Sequence, residues 1–466
     1  MVNAYGNSRR EFLSQSGKVL AACALMSSTA GAVYANLPAS STSCDTGKSV
    51  NMINDKHYYL CQVLLESGFN YEGSTVIGTK TELSTLEIKD GKIIAILDKN
   101  ALLNEGIPRY DAGGKLMLPA FRDMHIHLDK TFYGGPWQAP RSRQGKTIMD
   151  MITLEQDLLP KLQPFTQERA AKLIQLIQSH GSTIARSHCN VEPTSGLKNL
   201  EDLMVVLDNH KETFSCEIVT FPQHGLLLSK SEPLMREAMA MGADYVGGLD
   251  PTNVDGDMKK SLDTMFQIAL DYNKPIDIHL HEMGPQGKAA VNYMLDMVEK
   301  TPSLKGKLTI SHAFALATLN ESEIQATAER LAEQQVTIAS TVPIGTLHMP
   351  LSLLREKGVF VMTGTDSVID HWSPFGLGDM LEKANLYAQL YTRPDEFTLS
   401  RSLAIATGDV LPLDKNGTQV WPKVQDDASF VLVDASCSAE AVARISPRQA
   451  AFYKGNVAAG EVSLIG

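Results

Sequence analysis

Pro119-Ala120-Phe121-Arg122-Asp123-Met124-His125-Ile126-His127-Leu128-Asp129 is the stretch whose reading decides the fold. Apolar residues run through Ala120–His127 in the manner of a buried strand. Side chains alternate along a strand, so His125 and His127 face the same way. Two imidazoles converging from one strand suit a borderline divalent metal such as zinc. A single His-x-His also fits packed or surface histidines, so the residues elsewhere in the chain must decide.

Working outward, similar chemistry recurs where other candidate strands end. His279-Leu280-His281-Glu282 closes Ile276–His281, Ser311-His312-Ala313 closes Lys307–Ser311, and Gly364-Thr365-Asp366-Ser367 follows Val359–Thr363. Four more strands are expected at Thr183–Cys189, Cys216–Phe221, Tyr245–Leu249 and Val336–Ser340. Amphipathic helices are expected between and after the strands at Gln167–Ser179, Leu200–His210, Pro233–Met241, Leu262–Tyr272, Lys288–Val298, Glu321–Glu333 and Leu377–Leu390. Eight strand-then-helix units favour a closed (β/α)8 barrel over an open sheet, since closure leaves no edge to protect. Barrel enzymes gather their chemistry at the carboxyl ends of the strands, where these histidines and acids fall. For Asp366 alone, a turn or a helix cap is the competing reading.

Both ends of the chain read as β-rich. Tyr58–Glu66, Glu82–Lys89 and Lys92–Leu97 form one group, the last two joined by an Asp90-Gly91 turn. Ser429–Asp434, Ala441–Ile445, Ala450–Tyr453 and Glu461–Ile465 form the other. The expected architecture is α/β: a distorted (β/α)8 TIM barrel over 119–410, with a small β-sandwich domain built from 36–118 and 411–466.

The 53 acidic residues outnumber the 42 basic ones, giving a formal net charge of −11 that argues against a nucleic-acid binder. Six cysteines without a Cys-x-x-Cys pair exclude a zinc knuckle and a disulfide scaffold; a Cys44–Cys61 bridge stays open. Residues 1–35 differ from the rest. Ser8-Arg9-Arg10-Glu11-Phe12-Leu13 precedes an apolar Val19–Met26 stretch and a small-residue run ending Val33-Tyr34-Ala35. These are the regions of an export signal, and the arginine pair resembles a twin-arginine signal, whose machinery carries folded proteins. Removal near Ala35 and a periplasmic or otherwise exported location are expected, with a short surface helix as the alternative. The apolar stretch is too short to span a membrane, so no stable insertion is expected.

The motifs taken together resemble the amidohydrolase superfamily, in particular its cytosine deaminase-like aminohydrolases. That group carries Pro-x-Phe-x-x-x-His-x-His-Leu-Asp, matched by 119–129, and Phe-Pro-Gln-x-Gly, matched by Phe221-Pro222-Gln223-His224-Gly225. Its His-x-x-Glu, Ser-His and Asp-x-Trp-x-Pro-x-Gly elements match His279 to Glu282, Ser311-His312, and Asp370 to Gly376 after Asp366. The resemblance implies His125, His127, His279 and Asp366 as ligands of one divalent ion, zinc or iron. It also implies Glu282 as proton carrier, His312 beside the attacking oxygen and Gln223 against the substrate ring. The chain departs from the pattern at Ser367, where the relative has a second aspartate, at His281, where it has an acid, and at His224. Ser367, His281 and Trp372 are therefore expected to shape the substrate pocket. Trp137 and Phe375 are further candidates for planar contacts, with plain packing as the alternative. Lys130 is expected to face another part of the rim.

The reaction implied is hydrolytic deamination of a small amino-substituted nitrogen heterocycle of pyrimidine, triazine or pterin type, releasing ammonia or an amine. The ion would lower the pKa of water, Asp366 would take its proton, and Glu282 would protonate the ring and then the leaving amine. Hydrolysis of a cyclic amide would use the same site, and a noncatalytic periplasmic binder is an alternative of another class. No dinucleotide fingerprint is present. Zinc versus iron, the substrate and homo-oligomer formation are not decided by these residues.

Overall fold

A computed structural model of the chain describes residue 53 and residues 55–465. The expected leader, 1–35, and Cys44 lie outside the described residues. Five strands come first: β1 (His57–Glu72), β2 (Thr75–Lys89), β3 (Lys92–Asp98), β4 (Arg109–Asp111) and β5 (Leu116–Pro119). Eight follow in the middle: β6 (Phe121–Ile126), β7 (Ser182–Asn190), β8 (Ser215–Phe221), β9 (Tyr245–Leu249), β10 (Ile276–His279), β11 (Leu308–Ser311), β12 (Thr337–Ser340) and β13 (Val361–Thr363). The last four are β14 (Phe430–Val433), β15 (Arg448–Tyr453), β16 (Asn456–Gly460) and β17 (Ser463–Ile465).

Strands β6 to β13 lie side by side in chain order and are all parallel. Their side chains alternate between two environments. Ile276, Ile278, Leu308, Ile310 and Ile338 pack outward into the apolar layer shared with the helices. The inward side holds polar groups. Arg186 donates to Asp277 at 2.8 Å, to Glu217 at 2.8 Å and to the Tyr245 hydroxyl at 2.7 Å. Its guanidinium also lies 3.9 Å from the Tyr245 ring centre. A buried cation is tolerable only with such partners.

The barrel closes between β13 and β6 through very few contacts. The Asp366 amide donates to the His125 carbonyl at 2.7 Å, making a parallel bridge between Ile126 and Asp366. The buried Asp123 carboxylate accepts the Thr365 amide at 2.9 Å and the Thr365 hydroxyl. Gly364 makes the approach possible, because a Cβ there would sit 2.4 Å from the His125 carbonyl oxygen and 2.5 Å from its Cβ. Gly364-Thr365-Asp366 is thus the seam of the barrel.

The remaining strands form one sheet in the order β16-β15-β14-β5-β1-β2-β3, with β4 pairing β1 and β17. Strand β14 runs antiparallel to β5, opposing Phe430 to Pro119 and Val433 to Leu116. The carboxyl-terminal strands therefore grip the segment that leads directly into β6. Stacked Phe430 and Phe452, with ring centres 4.3 Å apart, anchor a second apolar core. The fold is a distorted (β/α)8 barrel carrying a small β-sandwich domain supplied by both ends of the chain.

Two local expectations need correction. Ala441–Ile445 is not a strand; Ser438–Arg444 is a helix capped by the Cys437 side chain and stopped by Ile445 in the left-handed region. Its alanines favour helix, and their alternation with valine mimics a strand. The second is a helix over Ile148–Leu162, inside a long excursion after β6, which periodicity alone did not reveal. Its signature is the Thr147-x-x-Asp150 capping box, both halves of which form. Among the described residues no helix is long and apolar enough to cross a membrane.

The seam gives a direct test. Gly364→Ala forces a methyl group against β6, and overpacking of this kind costs about 1–3 kcal/mol or more. We expect a clear fall in melting temperature with loss of site integrity; an unchanged melting temperature would remove Gly364 from this role.

Candidate active site

The carboxyl ends of the barrel strands enclose a cavity of about 410 Å³. Each histidine arrives there from a strand end with one ring nitrogen already engaged or the whole ring buried. His127 Nδ1 lies 3.0 Å from the His188 carbonyl, which leaves its Nε2 3.2 Å from Asp366. His125 Nδ1 lies 2.9 Å from Ser311 Oγ, and its Nε2 is 3.4 Å from the same aspartate oxygen. Ser311 Oγ in turn donates to Asp277 at 2.6 Å. A polar chain therefore runs from Arg186 through Asp277 and Ser311 to His125. Such partners fix the ring and tautomer of a metal-binding histidine.

His125, His279, His312 and Asp366 each present one ligand atom, all within 4.8 Å of one another. His127 joins the group through its contact with Asp366. Nε2 of His125, both nitrogens of His279 and Nε2 of His312 are buried without a hydrogen-bond partner. Burial, reinforced by neighbouring imidazoles, pushes His279 and His312 well below the usual histidine range, which keeps them neutral and able to ligate. Burial pushes Asp366 up, but the adjoining His125, His127 and His312 rings more than reverse this and hold it well below the usual carboxylate range. Neutral imidazoles and one carboxylate form a donor set that fits a zinc- or iron-type ion. His312 and Asp366 also hold φ of +64° and +63°, a left-handed backbone uncommon outside glycine that concentrates at functional sites.

The structure brings Gln223, His281, Ser367 and Trp372 to the same cavity. His281 Nδ1 is 3.0 Å from Asp250, whose other oxygen takes the His281 backbone amide at 2.6 Å. Its ring centre lies 4.2 Å from that of His312. Burial lowers the His281 pKa, yet the Asp250 carboxylate outweighs it and the net direction is upward. Glu282 is placed differently. It is buried behind the cavity lining, with Oε1 accepting the amides of Thr252 at 2.6 Å and Asn253 at 2.7 Å and Oε2 without a partner. Burial raises its pKa against those two hydrogen bonds. Trp137 and Phe375 are 73% and 78% exposed and line an outer vestibule, so they are not walls of the inner cavity.

Two residues escaped the sequence reading. Lys130 does not face elsewhere on the rim; it is buried, lines the cavity and donates to Gln223 Oε1 at 2.7 Å. Three residues beyond His127 the chain has left the strand, so strand alternation no longer predicts direction. His188 is fully buried amid the imidazoles, its ring centre 4.1 Å from that of His125. Its place near the end of β7 was the available signal. His125, His188 and Asp277 form a second close group, but Asp277 is already committed to Arg186 and Ser311, which makes this group the underlay of the first.

Over residues 166–452 the chain matches the amidohydrolase family. It is 67% identical to the Escherichia coli (strain K12) protein YahJ over 457 residues, covering 98% of this chain and 99% of YahJ. Among solved structures, N-isopropylammelide isopropylaminohydrolase from Burkholderia multivorans ATCC 17616 superposes with a TM-score of 0.76 at 28% identity, over 88% of this chain and 100% of that one. The 5-methylcytosine deaminase of Klebsiella pneumoniae follows at a TM-score of 0.70 and 24% identity, over 88% and 99%. The chain belongs to the amidohydrolase family and is a hydrolase acting on carbon–nitrogen bonds.

The polar chain behind His125 predicts that Ser311→Ala lowers metal affinity about 10- to 100-fold, the usual range for such supporting partners. Competition against a chelator, followed by elemental analysis, measures it. Unaltered affinity would detach Ser311 from the metal site.

Proposed function

We propose that this protein hydrolyses the exocyclic carbon–nitrogen bond of a small amino-substituted nitrogen heterocycle, releasing ammonia or a small amine. The observation that carries this reading is one cavity holding both a metal-capable His/Asp cluster and a polar wall, Gln223 with Lys130, suited to the edge of a ring. Its volume of about 410 Å³ fits a one- or two-ring molecule. The named relatives act on N-isopropylammelide and 5-methylcytosine, both amino-substituted rings.

His125, His127, His279 and Asp366 would hold one zinc or iron ion, with His312 close enough to contact the attacking oxygen. When bound, the ion supplies water activated for attack near neutral pH. Asp366 would accept a proton from the attacking water as the water oxygen bonds to the ring carbon bearing the amine. A proton delivered to the ring nitrogen, and then to the amine, lets the carbon–nitrogen bond break and leaves a ring carbonyl. His281, facing the cavity and braced by Asp250, and Glu282, buried beside it with one free oxygen, are the groups that carry this proton. Ser367 and Trp372 complete the pocket. Gln223 and Lys130 orient the ring.

Ammonia and amine release measured across cytosine, guanine, pterin and N-isopropylammelide tests the reaction. A ring-opened acid as product would replace it with cyclic-amide hydrolysis. Glu282→Gln should retain the metal and lower kcat by about 100-fold or more, the usual contribution of a positioned acid–base group. An unchanged kcat would assign the proton to His281 alone. We also propose export of the folded enzyme by the twin-arginine machinery, supported by the Arg9-Arg10 leader. Amino-terminal sequencing of the periplasmic fraction should then find a start near Asn36, and recovery of intact Met1 there would count against it.

A further inference from the structure

Glu155 takes no part in the motifs or in the reaction described above, yet it is fully buried. It sits on the inward face of the Ile148–Leu162 helix among Met151, Ile152 and Leu159, a stripe that is otherwise apolar. A carboxylate in that position is unfavourable unless it is paired. Its Oε1 accepts from Lys130 Nζ at 3.1 Å and from Asn190 Nδ2 at 3.1 Å. Its Oε2 is approached by Nε2 of His371 at 3.6 Å and of His224 at 3.8 Å. Burial alone pushes the Glu155 carboxyl up, but Lys130, with His371 and His224, reverses this and holds it well below the usual carboxylate range.

Lys130 is the link to the cavity. Its ammonium carries donors only, so the Gln223 atom 2.7 Å away must be the amide oxygen. The amide nitrogen is thereby turned from Lys130, and among the described residues it has no hydrogen-bond partner. Both side chains line the cavity. Two of the three ammonium hydrogens are occupied by Glu155 and Gln223, leaving one. The wall made by Lys130 and Gln223 is therefore rich in donors, with one lone pair of Gln223 Oε1 as its remaining acceptor.

We propose that Glu155 is a positioning residue: it anchors Lys130, Lys130 fixes the Gln223 amide, and the resulting donor-rich wall favours rings with oxygen substituents on the facing edge. The substrate class is then an amino-oxo azine, neutral or as its ring-deprotonated anion, in preference to a ring edged only by amino groups. This rests on reading the cavity as a heterocycle site, as proposed above.

Calorimetric binding to the metal-loaded enzyme tests it with two probes that share a triazine ring, cyanuric acid with three oxo groups and melamine with three amino groups. Wild type should prefer cyanuric acid. Glu155→Gln should shrink that preference about 10- to 100-fold, the range of a hydrogen bond involving a charged group. Lys130→Met should do the same. The Lys130→Met/Glu155→Gln double variant should be no worse than Lys130→Met, because the second change then acts on a link already cut. If Glu155→Gln fails to fold, the double variant, which carries neither buried charge, still permits the comparison with Lys130→Met.

A role in merely tying down the helix gives a different pattern: both probes weaken equally in Glu155→Gln, and the losses add in the double variant. Either result overturns the proposal. Persistence of the preference and of the coupling, with no heterocycle losing ammonia, would sink the proposed reaction and leave the positioning role standing.

Discussion

The whole site hangs on the seam between the first and last barrel strands. Strands β6 and β13 meet through one backbone bridge, the Asp123–Thr365 contacts and the absence of a side chain at Gly364. The residues that close the barrel are the residues that bring a carboxylate to two imidazoles: the amide of Asp366 binds the carbonyl of His125, while its side chain reaches Nε2 of both His125 and His127. Closure and assembly of the site are therefore one event. A barrel that failed to close would separate Asp366 from the histidines, and a cluster that repelled itself would strain the closure.

Self-repulsion is limited by holding His188, His279 and His312 well below the usual histidine range. Five histidine rings, those of His125, His127, His188, His279 and His312, crowd the space above a floor that contains the Arg186 cation. Charging several of them in a dry interior would be strongly unfavourable, and burial pushes His188, His279 and His312 down accordingly. Asp277 separates the cation below from the rings above, binding Arg186 on one oxygen and Ser311 on the other. Beside the cavity, a carboxylate answers each of two further basic groups, Asp250 at His281 and Glu155 at Lys130.

Much of this was legible in the sequence because barrel strands are short, buried and terminated by distinctive residues. All eight were located, and with them the strand ends that carry His125, His127, His279 and Asp366. The geometry gathers these with His312, Gln223, His281, Ser367 and Trp372 around one cavity. Strand alternation made the pairing of His125 with His127 readable, since both lie on β6 or at its end. What could not be read lies off the strands. Lys130 follows β6 in irregular chain, where a residue's direction is set by its partners and not by its number. Glu155 lies in an excursion whose helix opens after a stretch rich in glycine, proline and arginine, and its partner is 25 residues away. Glu282 shows the opposite limit: the motif located the residue, but not that its Oε1 would be occupied by the Thr252 and Asn253 amides.

These unread contacts explain how a shared barrel acquires its own pocket. The seam and the imidazole cluster depend on strand ends, whose positions the barrel dictates. Lys130, Glu155 and His371 come from the excursion after β6 and the loop after β13, which the barrel leaves free to vary. Because Glu155 meets Lys130 from one of these segments and His371 from the other, the two loops on either side of the seam are joined by a buried carboxylate. A change in either loop must therefore preserve that junction or rebuild the wall facing the ring. The metal-capable cluster and the Lys130–Gln223 wall are thus built by different parts of the chain around one cavity.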